Sequence, residues 1–320
     1  MIVDAHLDIA WNAVAEGRGF DSALPRGYMV NRDSVTGAGV GLVFATIFTF
    51  PAAARGDSAP LRYQTPGEAH IMGRAQVGYY QSLGLRLLRT QRDIKAYRRG
   101  WRPGMLAAVL LMENADPIES PAQLPVWAGL GVRVIGPAWS RTRYCGGTHA
   151  PGGLTDLGYG LLRAMAKAHL ILDLSHMADR SMRDALDVWR GPVVVTHVGS
   201  RVLNPGQRQL PDKIAAEVAE RGGMVGISFY SGHLKARGKA GVADIVRHAV
   251  HFARVTGDPR FVGIGSDLDG GFDARKAAVP RVSAMAQVER ALARQFGPGG
   301  AAGIMGGNWL DFLERSLPAR

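Results

Sequence analysis

At 320 residues, 47% hydrophobic and 20% charged, the sequence carries enough apolar material for two domains or one large barrel. Its net charge of +11, from 38 Lys and Arg against 27 Asp and Glu, is spread over amphipathic stretches such as GLRLLRTQRDIKAYRRGWR (84–102) without interleaved aromatics, which argues against nucleic acid as a partner. A single cysteine, Cys145, excludes an intramolecular disulfide and a cysteine metal cluster, and the longest apolar run, VGLVFATIFTF (40–50), is too short to span a bilayer.

The opening MIVDAHLDIA has no basic segment leading into an apolar one, so no signal peptide is expected and the default compartment is cytoplasmic. From there the chain alternates short Val- and Ile-rich runs with segments of helical period, the signature of βα units around a parallel sheet. Eight runs read as strands: 1–6 (MIVDAH), 40–48 (VGLVFATIF), 106–113 (LAAVLLME), 132–137 (VRVIGP), 170–176 (LILDLSH), 192–197 (PVVVTH), 223–229 (GMVGISF) and 261–267 (FVGIGSD). Helices are predicted over 157–169, 179–190, 211–222 and 241–257, the second opening on Asp179 and the third placing Pro211 at its first position. The stretches 51–66 and 145–156, rich in Gly, Pro and Ala, read as long loops placed to cover a site. Eight strands with intervening helices predict a (β/α)8 barrel forming one domain over 1–320. A doubly wound open sheet is the alternative, but the GxGxxG turn is missing after the first strand.

Several of these strands end on the same kinds of side chain. The first runs into DAHLD, which sets His6 and Asp8 on one side of an extended segment. The others end on Glu113, His176, His197 and Asp267. In a (β/α)8 barrel all C-terminal strand ends meet at one mouth, so these six side chains converge on one pocket. Imidazole and carboxylate suit Zn2+ and related divalent ions, and six groups fit two ions sharing a bridging carboxylate better than one ion.

DAHLD, LLMENAD, LILDLSH, PVVVTH, ISFY and GIGSDLDGG, in this order, together with IMGGNWLDFL (304–313), resemble the membrane (renal) dipeptidase family, binuclear zinc peptidases of the amidohydrolase superfamily. The resemblance implies that His6 and Asp8 bind one metal, His176 and His197 the other, and Glu113 both. Asp267 would act on a bridging water as general base and then as proton donor. Arg208, in QRQLPD (207–212), would receive the substrate carboxylate, and Tyr230, in SFY, would stand beside the substrate. The sequence departs from the family after the fourth strand. Where the family has a His that polarises the substrate carbonyl, GPAWSRTRY (136–144) has Trp139, an N–H donor that cannot accept a proton or bind a metal. His149, in the next loop, is a candidate replacement.

The expected activity is hydrolysis of small dipeptides, including those with a C-terminal D-residue, by a metal-bridging hydroxide held between two divalent ions, Zn2+ first among them. Trp139 leaves open another small amide, a lactam or an N-acyl amino acid as substrate, and a non-catalytic metal-binding protein is the third reading. The partners expected are a small-molecule substrate and, from the resemblance, a second copy in a homodimer.

Overall fold

The computed structural model describes residues 1–54 and 59–319. All eight predicted runs form parallel strands: β1 Ile2–Leu7, β2 Val40–Phe48, β3 Ala107–Glu113, β4 Val132–Gly136, β5 Ile171–Asp173, β6 Val193–Val198, β7 Met224–Ile227 and β8 Val262–Ile264. They pair in sequence order from β1 to β8, with helices between them, as a (β/α)8 barrel. The seam between β8 and β1 is closed by individual bonds. Asp267 N–H donates to the His6 carbonyl at 3.1 Å, and the buried Asp4 carboxylate accepts from the Ser266 N–H at 2.7 Å and from its hydroxyl.

Alternation along the strands builds two core layers. Ala107, Val109 and Leu111 face the barrel interior with Val3, Leu42, Ile171 and Val194, while Ala108, Leu110 and Met112 face the surrounding helices. The helix Asn308–Ser316 supplies the floor of the barrel. Its fully buried Trp309 donates from Nε1 to the Ile264 carbonyl at 3.0 Å and stands edge-on to Phe44. Gly263 makes the room, because a Cβ there would lie 2.2 Å from that nitrogen. Trp309→Ala is expected to cost about 3–5 kcal/mol, read as a lower urea midpoint. A loss below about 1 kcal/mol would place Trp309 outside the core.

Two β-bulges aim the barrel mouth. Asp4 and Leu7 of β1 pair with Val43 and Ala45 of β2, and Val195 and Val198 of β6 pair with Val225 and Ile227 of β7. In each case the bulged strand carries one extra residue, which shifts its alternation by one position. Simple alternation from inward-facing Ala5 and Val194 would send His6 and His197 outward; the bulges turn both inward.

Some expectations are corrected. The segment 145–156 is not a plain loop: Cys145–Gly147 and Ala150–Leu154 form an antiparallel hairpin. Its glycines are needed by close packing, since a Cβ on Gly146 would lie 2.5 Å from the Gly152 nitrogen. The four expected helices appear as Asp156–Lys167, Asp179–Val188, Asp212–Glu220 and Val242–Thr256. Pro211 precedes the third as its cap rather than opening it. Of the predicted loop 51–66, residues 55–58 lie outside the described residues, Pro51 is bridged to Tyr63, and a helix, Pro66–Ser82, begins at its end. Among the described residues no helix is long and apolar enough to cross a membrane.

Candidate active site

The six strand-end side chains meet at the barrel mouth. Glu113, the last residue of β3, divides its two oxygens between two groups of neighbours. Oε1 lies 3.2 Å from His176 Nε2 and 3.5 Å from His197 Nε2, while Oε2 lies 3.7 Å from His6 Nε2. Asp8 Oδ2 stands 3.9 Å from the same His6 nitrogen. Three overlapping sets could each hold a cation: His6, Asp8 and Glu113; Glu113, His176 and His197; and His6, His197 and Asp267. Glu113 belongs to two of them, which is the position of a shared carboxylate.

Three of these residues, Asp8, His176 and Asp267, lie beyond the strands. β5 stops at Asp173 and β8 at Ile264, and His176 and Asp267 take left-handed backbone conformations, φ 65° and 62°. Asn114, directly after Glu113, is a third, at φ 71°. Such conformations are uncommon outside glycine and gather where a site must be held against local preference. The GSDLDGG turn owes its glycines to proximity. A Cβ on Gly270 would lie 2.1 Å from Asp267 Oδ1 and 2.8 Å from Asp8 Oδ2. Asp269 is structural, its Oδ2 accepting the N–H groups of Met29 and Val30 at 2.8 Å each.

The residues behind the imidazoles set their tautomers. The Thr196 hydroxyl donates to Asp173 Oδ2 at 2.6 Å, so it can only accept from His197 Nδ1–H, 3.1 Å away. Nε2 of His197 therefore carries a lone pair. Thr148 holds His176 Nδ1 in the same way at 3.0 Å while turning its own hydroxyl to the His176 carbonyl. The two Nε2 lone pairs then face each other at 3.0 Å with nothing shared between them. Both nitrogens of His6, Asp8 Oδ1 and Glu113 Oε1 are enclosed and have no hydrogen-bond partner among the described residues. Buried polar atoms left this way carry a desolvation cost that a cation would relieve. The donor set, N and carboxylate O, suits a borderline divalent ion. Thr196→Val, which keeps the shape and removes the hydroxyl, is expected to weaken metal binding about 10–100-fold in a chelator-competition titration. Unchanged affinity would remove Thr196 from the metal-site design.

The electrostatics agree with that fit. Burial opposes charge on His6, but the carboxylates of Glu113, Asp8 and Asp267 outweigh it and hold its pKa up at about 10. Burial lifts Asp8 to about 7 and Asp267 well above its ordinary range. Burial, then Arg208, lowers His176 to about 4, and burial, then His6, lowers His197 well below its usual value. Burial also disfavours charge on Glu113, yet the His6 and His176 imidazoles keep its carboxyl below the usual range. The cluster concentrates negative charge around His6, and positive charge is what completes it.

A cavity of about 400 Å³ opens beside these ligands. One wall is aromatic: Trp11 packs on Phe48 at 5.0 Å, and Trp139 packs on Phe48 at 5.5 Å and Phe50 at 4.8 Å. Tyr230, His233 and Asp267 line it from elsewhere. Of the expected substrate residues, Trp139 and Tyr230 line the cavity, whereas Arg208 does not. Arg208 is half-buried, its Nη2 donating to the His197 carbonyl at 3.0 Å, and its Nε and Nη1 are enclosed without partners among the described residues. His149 is exposed in the turn of the hairpin and is not among the cavity-lining residues. Sequence reasoning missed the aromatic wall of Trp11, Phe48 and Phe50, the two threonines, and His233. For His233 the available signal was its place one helical turn after Tyr230 in FYSGH. A larger groove of about 780 Å³ lies near the N-terminal ends of β5 and β6, where Leu170 and Pro192 line it, and it holds none of the ligating side chains.

Known proteins share this fold and parts of this sequence. Solved structures with a similar fold include a dipeptidase described as a metallopeptidase of family M19 (TM-score 0.86, 23% identity, covering 99% of this chain and 98% of that one). Another is a metallopeptidase of Rhodobacter sphaeroides, solved with a phosphinate mimic of the dipeptide L-Ala-D-Ala (TM-score 0.85, 22% identity, covering 98% and 99%). In sequence, the chain is 32% identical over 191 residues to an uncharacterized dipeptidase, C965.12, of Schizosaccharomyces pombe, covering 55% of this chain and 44% of that protein. It is 30% identical over 200 residues to an uncharacterized protein in the pqqA 5' region of Klebsiella pneumoniae, covering 58% and 72%. The match thus spans less than half the length of the S. pombe protein. A family model described as membrane dipeptidase, peptidase family M19, matches residues 1–316, and the chain belongs to that family.

Proposed function

We propose that this protein is a metallo-dipeptidase that hydrolyses the amide bond of small dipeptides, including those ending in a D-residue. The observation that carries the reading is Glu113, whose two oxygens serve two ligand groups at the edge of a cavity sized for a small molecule. The L-Ala-D-Ala mimic bound by the R. sphaeroides protein supports the choice of substrate class.

His6 and Asp8 would hold one divalent ion, His176 and His197 the other, with Glu113 shared between them. Bound there, two such ions, with Zn2+ the expected pair, supply an acidified water and polarise a carbonyl. Asp267, facing the cavity from the β8 end, accepts the proton of the attacking water. It returns that proton to the amine nitrogen as the C–N bond breaks. The aromatic wall of Trp11, Phe48, Phe50 and Trp139 excludes water from one side and takes an apolar substrate side chain. Nε and Nη1 of Arg208, behind the cavity rather than lining it, have no partner among the described residues and would take the free carboxylate of a dipeptide that reaches past the cavity wall. Trp139 favours a second reading, in which another small apolar amide, such as an N-acyl amino acid or a lactam, is the better substrate.

The carboxylate role of Arg208 is tested by Arg208→Met. Losing a charge-assisted contact of about 1.5–3 kcal/mol should raise KM for dipeptides about 10–100-fold and narrow the preference for free dipeptides over their C-terminal amides. An unchanged KM would contradict the anchor. Hydrolysis of amides as readily as free dipeptides by the wild type would favour the second reading.

A further inference from the structure

Amide hydrolysis places growing negative charge on the carbonyl oxygen, and a preorganised neutral N–H donor aimed at that oxygen is among the most effective aids an enzyme can offer. At the end of β4 this chain presents an indole, Trp139, packed into the aromatic wall. Across the cavity, beyond β7, stands His233, which the metal-ligand set does not use.

The position of His233 is fixed from several directions. Its ring stands edge-on to Tyr230, with centroids 5.0 Å apart, and lies 6.3 Å from the ring of His197. Asn204 donates to the Gly232 carbonyl at 2.8 Å. Gly199, at the end of β6, has no room for a side chain, because a Cβ would lie 1.9 Å from the His233 carbonyl. These contacts hold the His233 backbone beside the site.

Its tautomer is fixed as well. Nδ1 lies 2.9 Å from the hydroxyl of Ser228, which is fully buried. That oxygen already accepts the Tyr230 N–H at 3.1 Å, and among the described residues Nδ1 is the one acceptor for its hydrogen. Ser228 O–H therefore donates to Nδ1 and the ring proton resides on Nε2. Burial, then the neighbouring Arg208, pushes the pKa of His233 well below its ordinary value. Among the described residues Nε2 has no protein partner.

We propose that His233 is a catalytic residue that donates a hydrogen bond from Nε2 to the oxygen of the scissile carbonyl as that oxygen gains charge. The assignment rests on the dipeptidase reading. It gives this chain a carbonyl donor on the β7 side of the cavity.

The test uses His233→Leu, His233→Gln and Ser228→Ala in metal-loaded protein of measured metal content. Kinetics on a dipeptide are combined with calorimetric binding of the phosphinate analogue of that dipeptide. His233→Leu should lose about 10²–10³-fold in kcat, with KM within about threefold and metal content unchanged. Its affinity for the tetrahedral phosphinate should fall by a similar factor, because that oxygen resembles the charged one. His233→Gln, which restores an N–H near Nε2, should recover about tenfold over the Leu variant. Ser228→Ala frees the proton to move to Nδ1 and should lower kcat about tenfold, whether or not the Leu variant folds. An unchanged kcat and phosphinate affinity in His233→Leu or in Ser228→Ala overturns the assignment, as does a rise in KM with kcat unchanged. Wild-type protein that leaves every dipeptide intact overturns the dipeptidase reading and this assignment together; an active wild type with an indifferent His233→Leu overturns the assignment alone.

Discussion

Replacing Asp267 by Asn is expected to lower kcat on dipeptides about 10²–10⁴-fold, the range for loss of a positioned general acid–base group. Asn keeps the shape and the backbone bond to the His6 carbonyl but cannot take a proton. The left-handed backbone at Asp267, and the closeness enforced by Gly270, hold the carboxylate against both Asp8 and the cavity. KM and metal content should change little, since the other five groups remain. Kinetics together with elemental analysis read both quantities. A variant within about tenfold of wild type would move the proton-carrying role to another residue.

Glu113→Gln should have its largest effect on metal binding. Glu113 is buried, and its oxygens face His176 and His197 on one side and His6 on the other. Neutralising it leaves a group of imidazoles and Asp8 without their central carboxylate. Breaking a buried charged cluster by removing one partner costs about 3–5 kcal/mol, which as affinity is a loss of about 10²–10⁴-fold. Chelator-competition titration should show that loss, with activity falling alongside it and returning only in part at high metal concentration. Full metal loading at wild-type affinity would mean that Glu113 is not shared between two ions.

Much of this architecture was legible in the chain because its signals are local. Uninterrupted Val and Ile runs mark strands buried on both faces, and the fold carries their C-terminal ends to one mouth. The convergence of His6 and His197 on the barrel mouth was expected for an incomplete reason. Alternation alone places His6 and Asp8 on the same side, but it would send that side away from inward-facing Ala5. The bulges that turn it inward follow from the pairing of β1 with β2 and of β6 with β7, which single runs do not display. The hairpin at 145–154 was hidden by its own packing, since the glycines that signal a loop are the residues that let its strands approach. Thr148 and Ser228 reach their histidines between elements or across a turn, and Thr196, the neighbour of His197, is oriented by its bond to Asp173 on the adjacent strand; a hydroxyl in a Ser- and Thr-bearing strand end carries no sign of which acceptor it will find. The departure at Trp139 was visible, while the location of a compensating imidazole required the cavity itself.

Two divalent ions held at this barrel mouth would make the protein a dipeptidase. The direct measurement is hydrolysis of a panel of L-Xaa-L-Xaa and L-Xaa-D-Xaa dipeptides by zinc-loaded protein beside a chelator-treated control. The account predicts release of free amino acids that requires metal, extends to C-terminal D-residues and favours apolar side chains. No turnover of any dipeptide by protein verified to hold two ions would contradict it.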